Sequence, residues 1–354
     1  MSRFFSDKFS GLTPYTPGEQ PRDQRYIKLN TNESPFPPSP LAIQYANAEA
    51  GKLELYSDPT CGALTAKAAA VFGVGEENII FSNGSDEVLN FAFMAFCDAT
   101  HPAIFPDITY GFYKVFAKLN GIPYEEIPLK SDFTVDVEDY VNHKGTVFIA
   151  NPNAPTGLYL PLDQIEAIVR SDPNRVVVID EAYVDFGGES AIALTKKYDN
   201  LLVVQTFSKS RSMAGARLGF AVGCQGLIQD LNTIKYSVNP YNVNRMTMAA
   251  GLGALEDSDY FRSNCQAIVE NRRWTTESLS KLGFATLDSI TNFVFTKNDA
   301  IPGKELYLKL KQRGILVRHF DTPRLTDYVR VTIGSAQQME AFVDAVRNIL
   351  EETP

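Results

Sequence analysis

Several short segments of this chain are apolar at nearly every position: the cores of ENIIFSN, PAIFP, GTVFIA, RVVVIDEAY and NLLVVQTFSK. A strand with one wet face alternates apolar and polar residues, whereas an unbroken apolar run marks a strand buried on both faces. Segments with helical spacing lie between these runs, among them SDEVLNFAFMAFC, TYGFYKVFAKLNG ending at Gly121, and LPLDQIEAIVR. Such alternation predicts an α/β fold: a large domain whose mostly parallel central sheet is covered by helices.

The pattern changes after about Asn239. A long helical stretch, VNRMTMAAGLGALEDSDYFRSNCQAIVENRRWTTESLSKLG, leads into TNFVFT, a helix, ILVRHF, YVRVTIG and a final helix. This predicts a smaller α+β domain. The segment before Asn30 is polar and Pro-containing and reads as an arm. The expected division is an arm over residues 1–29, a large domain over 30–238 and a small domain over 239–354, which a 354-residue chain is long enough to build.

Composition excludes several functions. A net charge of −9 argues against nonspecific nucleic-acid binding. No apolar run reaches the roughly 18 residues of a membrane span, and the start, MSRFFSDKFSGLTPY, lacks a signal peptide's apolar stretch. Cys61, Cys97, Cys224 and Cys265 are scattered without a CxxC pair, as expected of reduced thiols in a cytoplasm. His101, His143 and His319 lie far apart, with no metal-ligand spacing. GVGEEN lacks the third glycine of a dinucleotide loop, and no GxxxxGK[ST] occurs.

The polar residues between strands and helices are more informative. Asp180 ends the run in VVVIDEAYVDF, at the carboxyl edge where parallel sheets bind ligands, although a lone Asp there is more often a helix cap or a surface salt-bridge acid. The loop in VVQTFSKSRSMAGARLG carries Ser208, Lys209 and Arg217. A lysine beside a strand end, with a second cation eight residues on, fits a depressed pKa and a nucleophilic amine, although a lysine in a serine-rich loop is usually solvated. Ser208 and Arg217 fit a phosphate. In FSNGSDEV, the Gly84-Ser85-Asp86 turn opens a helix whose free N–H groups suit an anion, or form an ordinary cap. Tyr110, in DITYGFY, stands where a ring could stack on a flat cofactor or simply pack.

Taken in order, these segments resemble the fold-type I pyridoxal-phosphate aminotransferases, and within them the histidinol-phosphate aminotransferases. The resemblance is carried by LTPY, LNTNESPFPPSP, YSDP, NGSDE, NPNAPTG, DEAYVDF, TFSKSRSMAGARLGF, PYNVN, TNFVF, VRHFDTPR and VRVTIG, nearly end to end. It implies a pyridoxal 5'-phosphate cofactor whose aldehyde condenses with Lys209. Asp180 would pair with the pyridine nitrogen, Tyr183 donate to the ring phenolate and Tyr110 stack on the ring. Gly84, Ser85 and Asp86 would hold the cofactor phosphate by their backbone, with Ser208 and Arg217. Tyr56 would reach that phosphate from the other subunit, implying a homodimer with shared active sites. Arg330 would hold the substrate's distal anion, Arg318 and Tyr15 a substrate phosphate, and Asn292 would lie nearby. The implied reaction passes the amino group of histidinol phosphate to 2-oxoglutarate. An aromatic amino-acid aminotransferase, a threonine-phosphate decarboxylase and a non-catalytic cofactor-binding relative are the alternatives.

Two departures stand out. The residue before Pro-Thr-Gly, an asparagine touching the cofactor in that family, is Ala154 here, and its neighbour Asn153 points elsewhere in an extended loop. Arg211 follows the lysine and is expected to face solvent.

Overall fold

The computed structural model describes Ser2–Val141 and His143–Glu352. Strand β1 (Ile27–Lys28) leads to helices α1 (Pro40–Glu49) and α2 (Gly62–Phe72). Next come β2 (Ile79–Ser82), α3 (Ser85–Phe96), β3 (Ala103–Pro106), α4 (Phe112–Asn120), β4 (Tyr124–Ile127) and α5 (Val137–Val141). They are followed by β5 (Thr146–Ala150), α6 (Leu162–Ser171), β6 (Val177–Asp180), β7 (Leu201–Thr206) and β8 (Gly219–Val222). Helices α7 (Gln225–Val238), α8 (Arg245–Glu256) and α9 (Ser258–Lys281) precede β9 (Ala285–Thr286), β10 (Phe293–Lys297) and α10 (Gly303–Gln312). Short strands β11 (Ile315–Leu316) and β12 (Arg318–His319), then β13 (Tyr328–Thr332) and α11 (Ala336–Glu351), follow.

The central sheet runs β2-β8-β7-β6-β5-β3-β4. Its pairings are parallel except those of β8, which is antiparallel to both neighbours. The α/β expectation therefore holds, and the unbroken apolar runs have a direct cause. Val177, Ile179, Leu201 and Val203 join the core on one face of the sheet, and Val178, Leu202 and Val204 join the core on the other. β4 was not legible in the sequence. It is an edge strand whose Glu125 and Glu126 contact solvent, so it never needed an apolar run.

The second unit is a sheet ordered β12-β13-β10-β9, antiparallel throughout and packed on α9, α10 and α11. Two features differ from the expected division. The long helical stretch breaks at Asp257 (φ −90, ψ 62), and Val243, Ala250, Ala254 and Leu255 ahead of the break join the core of the central sheet. The change of core thus falls at Asp257, beyond the expected boundary at 238/239. At the other end, Ile27 and Lys28 of the expected arm pair in parallel with β11, and Leu29 is buried in the second unit's core.

Because β2, β3, β5, β6 and β7 are parallel, their carboxyl ends share one edge of the sheet. The following loops all open there: Asn83–Gly84, Asp107–Tyr110, Asn151–Gly157, Glu181–Tyr183 and Phe207–Lys209. β8 begins at the same edge, two residues after Arg217. Among the described residues no helix is long and apolar enough to cross a membrane, and all four cysteines are unpaired.

Candidate active site

Two adjoining cavities occupy this edge. The inner one, about 330 Å³, is lined by Ser85, Asp86, Tyr110, Ala154, Asp180, Tyr183, Ser208, Lys209 and Arg217. The outer one, about 440 Å³, is lined by Tyr15, Arg318, Phe320 and Arg330, and shares Tyr110, Ala154, Tyr183 and Lys209 with the inner.

In the inner cavity, Asp180 sits at the last position of β6 and is 5 % exposed. Its Oδ2 accepts a hydrogen bond from Tyr113 Oη at 3.0 Å, while its buried Oδ1 has no partner. A buried carboxylate oxygen without a donor is costly unless something in the cavity supplies one. Burial pushes the Asp180 carboxyl up to about 7, and the Tyr113 hydroxyl opposes that rise. Lys209 moves the opposite way. Burial lowers its amine to about 8, helped by Arg330 and, to a smaller extent, Arg217. The sequence suggested Arg217 as the neighbouring cation; the fold makes Arg330 the stronger influence.

At the wall formed by α3, Gly84 has φ +78, and a Cβ there would lie 2.5 Å from Arg217 Nη2. A Cβ on Gly219 would lie 2.3 Å from the Ser85 backbone nitrogen. Both glycines therefore let β8 and Arg217 close on the start of α3, whose first N–H groups lack intrahelical partners. Asp86 links this wall together: its Oδ2 pairs with Arg217 at 2.9 Å, and its Oδ1 accepts from Tyr110 Oη at 2.6 Å. Ser208 is buried, its Oγ accepting from Thr206 Oγ1 at 3.0 Å.

In the outer cavity, the Arg330 guanidinium lies between the rings of Phe293 and Phe320, 5.2 and 5.6 Å from their centroids. Arg318 reaches the carbonyls of Thr16 and Pro17. Tyr15 stacks on Phe112 at 4.3 Å. The arm is anchored beyond them by Glu19, which bonds to Lys311 and Tyr307.

Not every expected residue meets the cavity. Asn292 is fully buried, and its amide donates to Asn32 O at 3.0 Å, so it supports the site from behind. Tyr56 is 79 % exposed and stacks on Tyr241 at 4.6 Å, outside both cavities. Asn153 is held away as expected, donating to Ile108 O and Thr156 Oγ1 and accepting from Thr109. Arg211 corrects the reading: its guanidinium stacks 4.1 Å from the Phe261 centroid and bonds to Ala254 O, so it packs between units instead of facing solvent.

Two residues with no role assigned from sequence prove central. Asn32 (φ 55, 1 % exposed) donates to Tyr183 Oη at 2.9 Å and accepts from Thr332 Oγ1 at 3.1 Å. Tyr113 holds Asp180. Its spacing of three from Tyr110 near the start of a helix, which puts two side chains on one face, was the available signal.

The chain matches the family "Aminotransferase class I and II" over residues 24–346. It belongs to that family. Its curated relatives include the histidinol-phosphate aminotransferase of Brachyspira hyodysenteriae, 50% identical over 99% of this chain and 100% of the relative. That of Clostridium botulinum (strain Hall) is 44% identical, with the same coverage. These identities place the chain among the histidinol-phosphate aminotransferases. The fold is shared with the Sinorhizobium meliloti histidinol-phosphate aminotransferase, solved in complex with pyridoxal-5'-phosphate: TM-score 0.91 and 24% identity, covering 100% of this chain and 99% of that one.

Removing the larger cationic influence on Lys209 tests its electrostatics. In Arg330→Gln the amine should titrate above about 8, because a neighbouring cation disfavours a second positive charge. The pH dependence of Lys209 labelling by an amine-reactive reagent in cofactor-free protein reads this directly. An unchanged midpoint would show that Arg330 does not lower the amine.

Proposed function

We propose that this chain carries pyridoxal 5'-phosphate in the inner cavity and transfers the amino group of histidinol phosphate to 2-oxoglutarate. The observation that carries the reading is the pairing, in one cavity, of the enclosed Lys209 amine with the partnerless Asp180 Oδ1. The residues fit the cofactor. Asp180 Oδ1 is an acceptor waiting for a protonated ring nitrogen. The Gly84–Asp86 backbone, Ser208 and Arg217 form an anion cradle that a Cβ at position 84 would fill. When bound, the cofactor supplies an aldehyde for the substrate amine and a ring that accepts the electron pair released at Cα.

The chain's own residues supply the rest. Lys209 Nζ takes the Cα proton as general base, and an amine held near neutral titration suits that role. Tyr110 covers one wall of the cavity, fixed by its bond to Asp86. Asn32 occupies one lone pair of the Tyr183 hydroxyl and leaves its proton free to be donated into the cavity. Arg330, Arg318 and Tyr15 hold the substrate's distal anion. Guanidinium forks suit both a phosphate and a carboxylate, as a pocket serving two substrates in turn requires. Turnover with histidinol phosphate and 2-oxoglutarate should exceed that with phenylalanine by at least about tenfold, since the phosphate adds charge-assisted hydrogen bonds. Equal rates would favour an aromatic amino-acid aminotransferase.

The working form we propose is a homodimer. Tyr56 lies outside its own chain's cavities, and Leu53 and Leu55 beside it are exposed, as at an interface. Inactive Lys209→Ala and weakened Tyr56→Ala chains, refolded as a mixture, should regain up to about a quarter of native activity through mixed dimers with one intact site. Activity no greater than that of the separate variants would exclude a shared site.

The Ala154 side chain contributes no donor to the wall it shares with Tyr183. Ala154→Asn should lower the pH at which bound-cofactor absorbance changes by roughly one to two units, since a hydrogen bond to a charged oxygen favours the ionised form. Superimposable titrations would mean that the added amide does not reach the cofactor.

A further inference from the structure

Asp180 has two carboxylate oxygens in different surroundings, and the difference traces to one side chain. Oδ2 is held by Tyr113 Oη at 3.0 Å, and Oδ1, on a residue that lines the cavity, is buried and partnerless. Tyr113 occupies the first turn of α4 and is fully buried. Its ring packs against Phe105, Phe93 and Phe148, with centroids 5.7, 6.3 and 6.0 Å away, and meets Tyr110 edge-on at 5.7 Å. Those neighbours give the ring its place, and Asp180 is the hydroxyl's hydrogen-bond partner.

We propose that Tyr113 is a positioning residue for the reaction: its hydroxyl fixes the orientation of the Asp180 carboxylate and keeps it ionised, so that Oδ1 is presented to the cofactor's ring nitrogen. This rests on the cofactor reading above. The reasoning is electrostatic. A carboxylate in so dry a place tends to take up a proton, and a protonated Asp180 could no longer pair with a cationic ring nitrogen. The charged and titratable groups around it divide. Asp86, on α3, pushes its pKa up; Lys209, after β7, pulls it down; Tyr110 and Tyr183 also face it and are neutral near pH 7. The Tyr113 donor is the largest influence opposing burial, joined to a smaller extent by the nearby backbone N–H of Ala182, which makes no hydrogen bond to Oδ1. Tyr113 therefore does chemically what its sequence position hides: it sits one helical turn behind a tyrosine that lines the cavity, and acts through a carboxylate.

The test is cofactor affinity as a function of pH, measured by binding of pyridoxal phosphate to the full chain. Affinity should fall as pH drops through the Asp180 titration. In Tyr113→Phe, which keeps the ring and removes one oxygen, the fall should begin roughly one to two pH units higher, the worth of a hydrogen bond to a charged group. At high pH, where Asp180 is ionised with or without its donor, the two affinity curves should converge. A packing change alone would weaken affinity by the same factor at every pH, and that result overturns the proposal, as does an unchanged curve. Phe93→Leu, which disturbs the ring's surroundings and spares the hydroxyl, should leave the midpoint in place; a shift as large as that of Tyr113→Phe would assign the effect to packing and overturn the proposal. Asp180→Asn separates the two levels. If it leaves the pH profile and affinity unaltered, the cofactor reading itself fails. If it abolishes the acid limb and Tyr113→Phe does not move it, only the role of Tyr113 fails. Added to Asp180→Asn, Tyr113→Phe should produce no further midpoint shift.

Discussion

The stretch from Asn30 to Asn32 is the joint on which the site depends. It crosses between the two sheets, and its backbone carbonyls and the Asn32 amide bond to residues in and behind the cavities. Asn30 O accepts from Arg330, Thr31 O from Lys209, and Asn32 O from Asn292. The Asn32 side chain spans Thr332 on the small sheet and Tyr183 beside the large one. Buried polar groups lose about 1–3 kcal/mol when a partner is removed, so this network strongly favours one relative placement of the sheets. Three residues thereby set the distances between the Arg330 guanidinium, the Lys209 amine and the Tyr183 hydroxyl.

Given that placement, the cavity's chemistry follows from dryness. Burial discourages charge on every group it encloses, which raises an acid and lowers a base. Asp180 is driven up to about 7 and Lys209 down to about 8, bringing a carboxylate and an ammonium to titrate near neutrality. Particular neighbours then adjust each: Arg330 lowers the amine further, and Tyr113 keeps the acid from rising more. The same residues thus serve as packing and as electrostatic control, because in a close-packed interior the nearest polar atom sets the local field.

How much could be read in advance depended on range. The parallel sheet was legible from runs such as VVVI and LLVV because burial on both faces dictates every residue of a central strand. The edge strand β4 was not, since one side of it is wet. Asp180 and Lys209 were legible as strand-end polar residues. Asn32 was not: nothing local distinguishes an asparagine that bridges to Tyr183 and Thr332, 151 and 300 residues away. Arg211 was misjudged for the same reason, because the Phe261 ring that receives it belongs to another helix.

The sequence alone determined the order of the buried strands and the helices between them, the edge of the sheet at which the cavities open, and the cationic and acidic residues gathered there, since each follows from periodicity and chain direction. Only the tertiary structure decided which oxygen of Asp180 is free, which cation governs Lys209, and that Tyr56 stands outside its own chain's cavity. Those outcomes depend on distances between residues far apart in the chain, and a hydrogen bond or a local field is set by ångströms in space.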